Sequence, residues 1–169
     1  MVNASEERFP LPEHPNYILQ YRSITLNPDD PIRILDPTHL SNACDDAYAT
    51  INVLIHIHGP QWPFRKNGTA PDRPNEEGIF KSNLIKIEFE ELLDTPTTLE
   101  VAQWVLVGMK EAVELRGYVQ EAAITVTRVS APWGLPQLIT LVNMVGEDTV
   151  IPGGGEGGEG QAARVVENA

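Results

Sequence analysis

The stretch from Thr95 to Tyr118 constrains the fold most, because it reads as one long helix that is apolar over most of its circumference. Thr95 can cap it with Pro96 at the first helical position, where a missing N–H costs nothing. Thr97 followed three residues later by Glu100 is a competing capping box. At the far end Arg116 places a cation in the last turn, and Gly117 supplies the stop. Glu100, Gln103, Lys110, Glu111 and Glu114 form one narrow polar stripe, which Val107 interrupts. Val101, Trp104, Val105, Met109, Ala112 and Leu115 occupy the rest. Such a helix has to be buried on most sides, so it predicts the centre of a layered domain. Gly108 stands mid-helix, where glycine costs about 1 kcal/mol against alanine. The expected compensation is close packing against the other helix, with a ligand groove as the alternative.

That other helix opens at Asp36-Pro37, a cap followed by proline in the first turn. Leu40, Ala43, Cys44, Ala47, Ile51, Leu54, Ile55 and His58 recur at helical spacing, with Ser41, Asn42, Asp45, Asp46, Asn52 and His56 opposite. Gly59-Pro60 ends it. Strands are predicted over 17–26, rich in aromatic and β-branched residues, and over 84–90, where Ile85, Ile87 and Phe89 alternate with Lys86, Glu88 and Glu90. Two more, 119–129 and 137–145, are close enough to form a hairpin. The order β-α-β-α-β-β predicts an α+β two-layer sandwich, two helices on one face of a four-stranded, mostly antiparallel sheet. The second sheet face is expected to be open.

Residues 1–15, with Pro10, Pro12 and Pro15, read as an extended arm, 16–146 as a single domain, and the acidic, glycine-rich 147–169 as a flexible tail. The connection from Gln61 to Ile79 is long enough to be functional or disordered. Trp62 and Phe64 are expected to pin it to the domain, the alternative being an aromatic binding loop.

A chain of 169 residues can bury a self-sufficient core. Its net charge of −12 argues against nucleic acid or an anionic membrane surface as partner. The single cysteine, Cys44, excludes an internal disulfide. No run approaches the roughly 20 apolar residues of a membrane span. Glu6, Glu7 and Arg8 stand where a leader would be apolar, so the chain reads as intracellular or as a processed form.

Thr98, Gly108-Met109, Gly117-Tyr118 and Glu121 stand where a family of small, mostly secreted fungal proteins of unknown function carries comparable residues, and the region 17–145 resembles that family. The chain departs from it at Leu99, where members often have tryptophan, and only Trp133-Gly134 echoes their tryptophan-rich last strands. The resemblance implies an extracellular protein with no known chemistry. In that setting Asn67-Gly68-Thr69 and Asn3-Ala4-Ser5 would be glycosylation acceptors.

Candidate chemistry is sparse. His56 and His58 have a metal-like spacing, but residues two apart on a helix point to opposite sides. Two histidines suited to a helix C-terminus are the plainer reading, and no metal or cofactor is expected. Cys44 lies on an apolar face beside Asp45 and Asp46, a setting that raises a thiol pKa. The adjacent pairs Asp45-Asp46, Glu76-Glu77 and Glu90-Glu91 read as solvated faces. Phosphate-loop and serine-elbow motifs are lacking, so no catalytic residue is assigned. The expected function is non-catalytic, by binding a protein partner or a second copy. The alternative is a small hydrolase or ligand-binding module around Trp62, Phe64, His56 and His58.

Overall fold

The computed structural model describes residues 7–24, 29, 33–64, 77–90, 97–129 and 134–148. The expected glycosylation sites, the Thr95-Pro96 cap and the tail beyond Asp148 lie outside these residues. Eight elements follow in chain order: β1 (Glu7–Pro10), β2 (Tyr17–Ser23), α1 (Pro37–His58), β3 (Ile79–Ser82), β4 (Ile85–Glu90), α2 (Leu99–Arg116), β5 (Ala122–Arg128) and β6 (Gln137–Gly146).

Both helices begin and end for local reasons. Asp36 Oδ1 accepts from the His39 N–H at 3.0 Å, and Pro37 fills the first position of α1. Thr98, and not the expected Thr97, caps α2, its hydroxyl accepting from the Val101 N–H at 3.4 Å. Thr97 is drawn inward instead, where its hydroxyl meets that of Thr140 at 2.6 Å. Two more N–H groups of α2 go to the segment after α1: Leu99 donates to the Trp62 carbonyl and Glu100 to that of Pro60, both at 3.0 Å. Gly117, at φ 68°, closes α2 in the left-handed conformation, with the Tyr118 N–H on the Ala112 carbonyl.

Among the described residues the sheet has six strands in the order β1-β2-β5-β6-β4-β3, every pair antiparallel, and not the expected four. Both unexpected strands are four-residue edges. Part of the expected N-terminal arm is therefore domain: Glu7–Pro10 pairs with Ile18–Tyr21, and the following Leu11 is 1% exposed. An edge strand tolerates proline because its outward N–H has no partner to lose. β3 and β4 meet through Asn83 and Leu84, both at positive φ (54° and 63°), a two-residue turn matched to strand twist. Asp46 on α1 holds that turn, accepting from Ser82 and, at 3.0 Å, from Asn83 Nδ2.

Exchanging β1-β2-α1 with β3-β4-α2, and β5 with β6, leaves strand order and direction unchanged. The helices accordingly run antiparallel: Ser41 bonds to Glu114 and Asp45 to Lys110. α1 crosses over β3 and β4, while α2 reaches β1. The core between the layers takes Leu19 and Tyr21, Ile87 and Phe89, Ile124 and Val126, and Val142 and Met144 from the sheet. From the helices it takes Leu40, Cys44, Ala47, Ile51, Leu99, Val105, Leu106 and Met109. The central helix is buried as expected, apart from Val107 and its last turn, where Leu115 turns outward. His58, expected on the inner face of α1, is exposed.

Two packing expectations need correction. Gly108 faces the β1–β2 hairpin and not α1: a methyl there would lie 2.5 Å from Leu11 Cδ2 and 2.9 Å from Leu19 Cδ1. The second sheet face is less open than its alternation suggests, since Lys86 is 6% exposed and Asn143 and Val145 are buried. Long side chains lie over that face: Lys86 Nζ reaches Glu88 at 3.8 Å, and Asn143 Nδ2 donates to Glu90 Oε1 at 2.9 Å.

Candidate binding groove

The four residues singled out at the end of α1 do not converge. His58 stacks on the Trp62 ring, centroids 4.2 Å apart and 14° from parallel. His56 Nδ1 instead lies 2.7 Å from the Asn52 carbonyl of its own helix. Phe64 is buried among Phe80 and Phe89. Phe64 and Trp62 do pin the segment after α1, whose carbonyls also cap α2. Gln61 Nε2 adds a bond to Glu100 Oε2 at 2.6 Å. Among the described residues no three His, Cys, Asp or Glu side chains stand together as a metal site would. His14, isolated in sequence, stacks on Trp104 of α2 at 3.8 Å, with Tyr17 edge-on to the same indole.

Cys44, Tyr21 and Tyr118 are held protonated by their surroundings. Burial, reinforced by Asp45, pushes the Cys44 thiol up to about 12, so it stays protonated and weakly nucleophilic. Burial also raises the Tyr21 phenol well above its ordinary range, and that of Tyr118 to about 12. The Tyr21 hydroxyl has no hydrogen-bond partner among the described residues; its ring packs against Phe9 and Tyr118.

Concavities lined by described residues include two beside the helices. One, of about 630 Å³, lies where the N-terminus of α1 meets the β3–β4 turn and the end of β6. Its wall is built by contacts within the fold. Arg33 pairs with Asp148 at 2.6 Å, and that bond holds the Asp148 carboxyl below its ordinary range. The Asp36 carboxyl is likewise lowered, chiefly by the backbone N–H of His39.

The other is a groove of about 480 Å³ along the outer side of the helix pair. Asp45 and Tyr48 come from α1, and Val107, Lys110, Glu111, Glu114 and Leu115 from α2, with Pro12 at its margin. Helical spacing builds it: Val107, Glu111 and Leu115 are four residues apart on one stripe. Tyr48, Val107 and Leu115 keep 40%, 43% and 73% of their surface in solvent. Between them Lys110 Nζ donates to both oxygens of Asp45, at 2.7 and 2.9 Å, and lies 3.8 Å from Glu114. The hydrogen bond to Asp45 raises the Lys110 pKa, and Ser41 donates to Glu114 Oε1 at 2.9 Å.

Val107 was the one signal of this groove in the sequence, an apolar residue on a polar stripe. Tyr48 and Asp45 carried none, because their place beside α2 depends on how the helices pack. Among the described residues no helix is long and apolar enough to cross a membrane. No family model, characterised protein or solved structure matches the chain.

Proposed function

We propose that this is a non-catalytic protein that acts by binding another protein through the groove between α1 and α2. The observation that carries the reading is the exposure of Tyr48, Val107 and Leu115 around one groove. A lone exposed leucine needs no explanation, but apolar side chains grouped around a polar centre are what binding faces present. Self-association is the weaker variant, because two copies each at −12 repel. The fungal resemblance adds an extracellular setting, which intact-mass analysis of secreted protein for glycans at Asn67 and Asn3 tests.

The binding reading is tested by affinity capture with the wild-type chain and with Val107→Glu/Leu115→Glu. Both positions are exposed, so the fold is expected to survive, as thermal melts will check. A partner retained by the wild type and lost from the variant is the expected result. Partners retained equally by both would remove the groove from the reading. Light scattering across a concentration series decides the self-association variant, which a strict monomer eliminates.

A further inference from the structure

The groove's charge and pitch narrow its occupant. Three carboxylates, Asp45, Glu111 and Glu114, line it with one ammonium, Lys110, which Asp45 already holds in bidentate fashion. An incoming group therefore meets net negative charge on a chain already at −12. The apolar contacts flank the charges: Val107 and Leu115 stand eight residues apart on α2, about 12 Å at helical rise, and Tyr48 projects from α1. A cleft between two antiparallel helices with anchors at this pitch suits a third helix laid along it, with apolar residues at every third or fourth position. Its remaining face would supply the positive charge. A second copy would bring the same acidic rim and is repelled; the same holds for nucleic acid.

Resting on the binding reading above, we infer that the groove takes a basic amphipathic helix of a partner protein, seating apolar side chains on Tyr48, Val107 and Leu115 and Lys or Arg side chains on Glu111 and Glu114. Charge steers the encounter and chooses the partner class, while the apolar contacts set the lifetime of the complex.

The test uses the full chain and synthetic helices of about 15 residues, long enough to retain some helicity in water. One carries leucines at helical spacing among Lys and Arg. A second has the same composition scrambled, and a third has Glu in place of every cation. Fluorescence anisotropy reads affinity, and amide shifts read the location. The expected result is that the first peptide binds, shifting amides around 45–48 and 107–115, and that it weakens at least about tenfold with Val107→Ser/Leu115→Ser or with Glu111→Lys. The remote control Glu147→Lys, at the end of β6, leaves the affinity unchanged. Binding is also expected to weaken as ionic strength rises. Equal binding of the scrambled peptide, or equal loss with Glu147→Lys, overturns the inference by reducing it to bulk attraction of opposite charges. Preference for the acidic peptide overturns it too. If no peptide binds while a captured protein still requires Val107 and Leu115, the basic-helix inference falls and the binding reading stands. If neither is seen, both fall.

Discussion

Replacing Gly108 by alanine sets two known magnitudes against each other. On an isolated helix the change would stabilise by about 1 kcal/mol. Here the new methyl would stand 2.5 Å from Leu11 Cδ2 and 2.9 Å from Leu19 Cδ1. Optimal carbon contacts lie near 3.5–4.0 Å, so both leucines must give way by roughly an ångström. Neither has room, since both are buried in the seam between α2 and the β1–β2 hairpin. Overpacking of this kind costs about 1–3 kcal/mol. The expected net effect is a loss of about 1 kcal/mol, or about 2–4 °C in Tm for a chain of this size. Leu11→Ala alone should cost about 2–5 kcal/mol through the cavity it leaves. In that background the worst overlap is gone, so Gly108→Ala should become neutral or stabilising, with a coupling of about 1 kcal/mol or more. Urea titrations of the four proteins by tryptophan fluorescence, with unchanged m values, measure the cycle. A Gly108→Ala protein more stable than wild type, or strict additivity, would refute the argument that this glycine is kept for the hairpin.

Thr97→Val orphans the buried Thr140 hydroxyl and should cost about 1–3 kcal/mol, while Thr97→Val/Thr140→Val should recover part of it; chemical denaturation reads both. Asp36→Ala should destabilise the chain at neutral pH. The folded carboxyl is held below its ordinary value, so its contribution is complete above the unfolded pKa and lost as pH falls through the folded one. The gap between variant and wild type should therefore narrow below pH about 4, as thermal melts across pH will show. Cys44, with its thiol raised to about 12, should resist a thiol reagent at mildly alkaline pH until the chain unfolds, so labelling at half-denaturing urea should track the fraction unfolded. Fast labelling of the native protein would contradict its burial.

Local chemistry marked both helices, though not the start of α2. Periodicity marked Leu40 to Leu54 as the inner face of α1, and Asp36-Pro37, Gly59 and Gly117 set boundaries within a residue or two of those observed. Strict alternation revealed β4, and two β-rich runs joined by a loop of moderate length revealed the β5–β6 hairpin. These signals lie within a few residues of each other, and so they are visible in a sequence. What the sequence could not express was pairing. β1 and β3 are strands because Tyr21 and Ile87 lie beside them, and β3 turns on Asn83-Leu84 where Asn-Gly would have announced the hairpin. Thr98 became the cap once Thr97 found Thr140 inside the core, and Gly108 found Leu11 of the β1–β2 hairpin instead of α1. The groove belongs to the same class: Asp45 and Tyr48 acquire Lys110 and Val107 as neighbours only when two helices separated by about forty residues of chain lie side by side. Hydrogen bonds and van der Waals contacts act over a few ångströms, so the residues that decide such features are the ones folding brings together.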